Sequence, residues 1–155
     1  SKAAEKKQGF RALSENEATE FEAIAAQIIP SNDTPGASEA GAIYLIDTVL
    51  ADIDPKIHEP LKQGLKEFQD TLQSTYGVSS FTSLDQQQQI EALTSIEDTD
   101  FFGTLRFLTI AGTFCDPSLG GNRNRLGWDL IGFEGAQAAQ PPFGYYDADY
   151  MKKGA

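Results

Sequence analysis

The chain has 155 residues, 40% of them apolar and 23% charged, with a formal net charge of -11 at pH 7. That length suits one domain burying roughly two-thirds of its unfolded surface, and the apolar and charged shares are those of an ordinary globular protein. The acidity speaks against nucleic acid and against electrostatic attachment to an anionic membrane, both of which need a basic surface. No apolar stretch approaches the roughly 20 residues of a membrane-spanning helix. A single cysteine, Cys115, leaves no intrachain disulfide and no cysteine-built zinc site.

Residues 1–12 are polar and are expected to form a flexible N-terminal segment. The start at Ser1, with Lys2, Lys6 and Lys7 following, is compatible with a removed export signal or a trimmed chain. Ser14 and Glu17 have the spacing of a capping box, so a first helix opens there; Phe21, Ile24 and Ile28 give it an apolar face, and Pro30 ends it. Residues 31–38 have a loop composition. Asn32-Asp33-Thr34 matches a glycosylation sequon, although a chance match within a turn is the simpler reading. A second helix is expected from Ser38 to Ala51, largely buried through Ile43, Leu45, Ile46, Val49 and Leu50. A third runs from Glu59 to Tyr76 with Pro60 at its first position; Leu61, Leu65, Phe68 and Leu72 line its apolar face and Gly77 closes it. Ser83 and Gln86 suggest a cap for a short fourth helix, Leu84 to Leu93.

The stretch from Phe101 to Gly135 organises the rest. A long apolar segment without a breaker, capped by Asp98 or Thr99 and ending at Phe114, reads as a buried central helix. Asp116-Pro117 stops it, and Gly120-Gly121 permits a tight polar loop before Trp128, Leu130, Ile131 and Phe133 return. Pro141-Pro142 excludes a helix further on, and residues 136–155 read as an extended tail. No convincing alternating run occurs. The expected architecture is therefore all-α: a bundle of about five helices over residues 13–135, with a long irregular C-terminal segment rich in aromatics, proline and glycine.

Chemistry-bearing residues are few. The only histidine, His58, reads as an exposed turn residue and Cys115 as an inert thiol at a helix end, so a Cys115–His58 dyad has little to support it. Glu97, Asp98 and Asp100 are explained by capping and the helix dipole. Asp147 and Asp149 have no recognisable cation-site spacing. Gly120-Gly121-Asn122-Arg123-Asn124-Arg125 lacks the Lys-Ser/Thr of a phosphate loop and does not lie between a strand and a helix. The loop is then either a turn whose asparagines cap backbone groups while Arg123 pairs with an acid such as Asp116, or a partner-docking loop, since arginine and tryptophan anchor interfaces. Candidate partner-binding residues are Asn122, Arg123, Arg125, Trp128, Phe133, Phe143, Tyr145 and Tyr146. The aromatic tail either lies in another protein's groove or closes over this chain's own bundle.

Asp116-Pro117, Gly120-Gly121-Asn122-Arg123, Gly127-Trp128, Leu130-Ile131-Gly132-Phe133, Pro142-Phe143-Gly144 and Tyr146-Asp147 together resemble the gluconate 2-dehydrogenase subunit 3 family. Ile29-Pro30, Pro35-Gly36-Ala37 and Ala40-Gly41 extend the resemblance upstream. It implies a non-catalytic small subunit without cofactor or metal of its own. The implied partner is an FAD-dependent large subunit of the glucose-methanol-choline type, oxidising a sugar or polyol and passing electrons to a cytochrome c or another acceptor. It also implies help with maturation and twin-arginine export of that partner into a bacterial periplasm, although no twin-arginine motif is present in this sequence. The alternative is a stand-alone helical module binding a small ligand or a protein.

Overall fold

A computed structural model of the chain describes residues 9–133. Among them there are seven α-helices and no strand: α1 (Glu15–Ile28), α2 (Ala37–Ala40), α3 (Ala42–Thr48), α4 (His58–Tyr76), α5 (Gln86–Ser95), α6 (Asp100–Phe114) and α7 (Leu126–Ile131). The all-α expectation holds. α6 lies at the centre and touches α1, α2, α3, α4 and α7.

Several helices form where the sequence places them, for the stated reasons. Ser14 Oγ accepts from the Glu17 amide and Glu17 Oε2 accepts from the Ser14 amide, closing the capping box of α1. Thr99 caps α6 by accepting from the Phe102 amide. Leu61, Leu65, Phe68 and Leu72 are all buried along α4, which ends on Gly77 in the left-handed conformation. The core joins these faces through tilted ring contacts from Phe21 to Phe101, Phe101 to Phe68 and Phe68 to Phe81.

Three expectations are corrected. The second helix is not continuous from Ser38 to Ala51. Gly41 adopts a left-handed conformation (φ 68°) that divides it into α2 and α3, and a side chain there would run into the Arg123 stem. Beyond α3 the chain widens into a π-helical turn, Val49–Ile53, which keeps Val49 and Leu50 inside and turns Ile53 outward. The cap of the fourth helix is Asp85 with Gln88, not Ser83 with Gln86. Ser83 belongs instead to a 3-10 turn that buries Phe81 completely, so the helix begins two residues later. Finally, α6 is only partly buried: Gly103, Arg106, Phe107 and Ile110 remain at the surface.

Two buried carboxylates tie distant segments together. Asp47 on α3 accepts from the amides of Arg11, Ala12 and Leu13 at 2.9–3.1 Å. Phe10 stacks on Tyr44 with ring centroids 5.5 Å apart, so the part of the N-terminal segment within the described residues is held on α3. Glu20 on α1 accepts from the Ser80 hydroxyl at 2.6 Å and the Phe81 amide at 2.8 Å, fixing the turn before α5.

Candidate functional site

The loop between α6 and α7 is built around Asn122, which is fully buried. Its Oδ1 accepts from the Gly127 amide at 2.8 Å and the Trp128 amide at 3.3 Å, and its Nδ2 donates to the Cys115 carbonyl at 2.8 Å. Its own amide donates to the Gly112 carbonyl at 2.7 Å. One side chain thus caps α7 and holds it to the end of α6. Asparagine suits this position because it tolerates the left-handed backbone found there (φ 45°). Trp128 completes the junction: its ring is buried and Nε1 donates to the Phe114 carbonyl at 2.8 Å.

This geometry offers no phosphate cradle. The Asn122, Arg125, Gly127 and Trp128 amides that could face an anion are all taken up within the loop and its anchor on α6. The asparagine-capped turn of the sequence reading is therefore present at Asn122. The expected Arg123–Asp116 pairing is not. Arg123 lays its guanidinium 3.4 Å above the Tyr44 ring centroid instead. Asp116 accepts from the Ser118 amide, and that bond, the Ser118 side chain and, more weakly, the Arg125 charge hold its carboxyl below the ordinary value. Phe10, Tyr44 and Arg123 form one layered contact joining the N-terminal segment, α3 and the loop.

Asn122 and Trp128 accordingly face inward, and Arg123 is half-buried against Tyr44. Arg125 and Phe133 are exposed. Arg125, also left-handed (φ 58°), reaches over the Trp128 ring, on whose edge Phe133 packs at a centroid distance of 5.2 Å. Phe143, Tyr145 and Tyr146 lie outside the described residues.

Cys115 and His58 do not form a dyad. Burial pushes the Cys115 thiol above its ordinary value, the opposite of the lowering an activated nucleophile needs. His58 is half-buried, not an exposed turn residue; it opens α4 and faces Glu17 Oε1 at 3.4 Å. Among the described residues no group of three or more His, Cys, Asp or Glu is placed to hold a metal ion, and no helix is long and apolar enough to cross a membrane.

Two features escaped the sequence reading. The Glu17–His58 and Asp47–amide contacts join residues 41 and up to 36 positions apart, which no local pattern signals. The second is the apolar surface of α6 and its neighbours. Phe107 is 69% exposed, Ile131 61%, Ile53 57% and Phe133 46%. Beside Phe107 lies an apolar groove of about 450 Å³, lined by Val49, Ile53, Ile57, Ala111 and Leu119 among others. The signal was available: α6 is apolar around most of its circumference, Arg106 excepted, yet it has neighbours on only part of it.

The family model for gluconate 2-dehydrogenase subunit 3 matches residues 15–135, most of the chain and all of the helical fold described above. The chain belongs to this family. No curated protein and no solved structure matches it. As a gluconate 2-dehydrogenase subunit 3 protein it is an accessory subunit of a dehydrogenase.

Asp47 and Glu17 give the subunit a predictable response to acid. Burial pushes the Asp47 carboxyl up, but the three amides outweigh it and leave the group below its ordinary value. Burial likewise pushes Glu17 up, and the Ser14 amide and hydroxyl with His58 bring it below its ordinary value. A depressed carboxylate contributes stability that is complete above its unfolded pKa, about 4, and is lost as pH falls through the lower folded value. Thermal melts should therefore drop steeply below about pH 4. Asp47→Asn should melt lower at pH 7, by about 1–3 kcal/mol, and show a shallower acid decline. Parallel pH profiles for the two proteins would contradict the tether.

Proposed function

We propose that the chain is the non-catalytic small subunit of a flavin-dependent sugar dehydrogenase, binding and steadying an FAD-bearing large subunit. In that complex the large subunit would take the proton from a sugar hydroxyl and a hydride from the carbon that bears it, leaving a carbonyl. FAD bound there would supply the hydride acceptor, and its two electrons would go on to cytochrome c or another acceptor. The small subunit contributes no reacting group. It accompanies its partner through maturation and export to the periplasm. The observation that carries this reading is the exposure of large apolar side chains, Phe107 and Ile110 beside Arg106 on α6 and Leu130, Ile131 and Phe133 at the end of α7, in a chain of a dehydrogenase-subunit family. Apolar surface left in water by a folded chain marks an interaction site. Arg125 beside Trp128 adds a cation of the kind that anchors interfaces.

The test is the native mass of the protein purified from its own source, with the visible spectrum of the same peak. A peak several times heavier than 16.8 kDa with flavin absorbance is expected. Ile131→Glu should weaken association ~10-fold or more while leaving the helical spectrum unchanged. A colourless monomer under conditions that preserve known complexes would overturn the subunit reading and favour a stand-alone module, for which the apolar groove would be the ligand site.

A further inference from the structure

We propose that the apolar groove between α6 and residues 45–57 receives an amphipathic helix of the dehydrogenase's large subunit, one that carries a lysine or arginine beside its apolar stripe. That the partner is this large subunit rests on the reading above; the groove and its chemistry belong to this chain. Two helical rows form the walls of this space of about 450 Å³. One runs along α6 through Thr104, Leu108, Ala111 and Cys115, with Phe107 beside it, and rises roughly 16 Å, about three turns. The other runs through Leu45, Val49, Ile53 and Ile57, from α3 across the π-helical turn into the 3-10 turn that follows. Leu45 and Leu108 are buried and form the floor, while Phe107, Ile53 and Leu119 are exposed and form the rim.

Backbone bonding selects a helix as the occupant. Both walls are helical and bond along their own axes; even at the turn, the Asp54 amide donates to the Val49 carbonyl and the Ile57 amide to the Asp54 carbonyl. An extended segment would find no edge to pair with and would lay unbonded amides and carbonyls on apolar walls. A helix satisfies its own backbone and offers only side chains, with an apolar stripe at i, i+3, i+4 and i+7 to lie along the groove. Charge selects what flanks that stripe. Asp54 is the one charged residue lining the groove. It is exposed, does not cap the turn it opens and, among the described residues, forms no ion pair. Arg106, next to Phe107 in sequence, lines a different cleft together with Glu97, so no cation of the described residues lines this one. A cation on the incoming helix answers Asp54, and an anion there is repelled. The same sign disfavours other occupants. A second copy carries the same net charge of -11 and would bring two acidic grooves together, and an anionic lipid surface is repelled likewise.

The full chain carrying Phe107→p-benzoylphenylalanine is expressed in its own source, and the flavin-containing complex is purified, photo-activated and its linked peptides identified by mass. Phe107 lies at the exposed rim, so the replacement leaves the core intact. The expected product is a link to a large-subunit peptide with apolar residues at i, i+3 or i+4, and i+7 and a lysine or arginine among them. A link to a second copy, a link to a peptide without that pattern, or no link in an intact flavin-containing complex would overturn the proposal and leave the subunit reading standing. Charge gives an independent readout. Asp54→Lys should slow association with the flavoprotein roughly 5-fold at low salt, and the difference should fade at about 1 M salt, where the screening length is about 3 Å. Asp70→Lys, the same reversal at an exposed position of α4, should change the rate far less. Equal effects of the two reversals would overturn the pairing at Asp54. A flavoprotein that never associates with the unaltered chain removes the subunit reading and this occupant with it.

Discussion

Asn122→Leu is expected to destabilise the protein by about 3 kcal/mol or more, the largest loss of any single polar replacement in this fold. The leucine fills similar space but strands the Gly127 and Trp128 amides and the Cys115 carbonyl, which now bond to the Asn122 side chain in the interior. Each buried polar group left without a partner costs about 1–3 kcal/mol. Leucine also resists the left-handed backbone at this position, adding about 1–2 kcal/mol of strain. Asn122→Gly separates the two effects, since glycine accepts that backbone and leaves room for water; it should lose less, about 2 kcal/mol. Urea unfolding reads the difference. Trp128, the only tryptophan, should shift its emission to the red in the leucine variant as α7 loosens. An unchanged midpoint and emission would show that Asn122 does not hold the junction.

That junction also shows what could be read in the sequence. The turn chemistry of Asp116-Pro117, Gly120-Gly121 and the asparagines placed a tight polar loop after a long apolar helix, and the loop is there. Which asparagine turns inward was not legible, because Asn122 and Asn124 have the same local preferences and only the depth of the α6–α7 contact separates them. Arg123 was read against a local acid such as Asp116. Its true partner, Tyr44, lies far upstream and meets it because Gly41 turns α3 toward the loop. The helices were legible wherever a cap and a stripe agreed, as at Ser14 with Glu17 and along Leu61, Leu65, Phe68 and Leu72. They were misread where two caps competed, Ser83 against Asp85, and where a glycine divided one apolar stripe into two helices.

The apolar face of α6 was hidden for a related reason. Periodicity reports which positions are apolar, not how much of a helix its neighbours cover. In α6 the buried side carries Leu105, Leu108, Thr109, Gly112 and Thr113, while Phe107 and Ile110 point to solvent. A helix apolar around most of its circumference in a small bundle is either wrapped by its neighbours or left partly open for another chain to cover. Only the three-dimensional arrangement decides between these. Here it leaves Phe107 and Ile110 uncovered among the described residues.

Gly127→Ala should have an effect nearly as large and more local. A methyl group at Gly127 would fall well inside contact distance of the Thr113 carbonyl oxygen at the end of α6 and would crowd the Asn122 side chain. Neither the Thr113 carbonyl nor the bonded Asn122 can yield without breaking the junction, so α7 must lift from α6. A loss of about 3 kcal/mol is expected, at the upper end for an overpacked site. Far-ultraviolet dichroism should change little because α7 is only six residues long, but Trp128 emission should move to the red and Phe133 should lose its ring contact. If the exposed face of Leu130, Ile131 and Phe133 meets the flavoprotein, association should weaken in step with the fluorescence change. Gly103→Ala is the matching control: it lies on the exposed side of the same α6, with nothing within 4 Å of an added methyl group. There alanine should stabilise the helix by about 0.5–1 kcal/mol and leave Trp128 and partner binding unaltered. Similar stability changes in the two variants would mean that α7 is not seated against α6 through this close approach, and would remove the geometric basis for placing the docking face at its end.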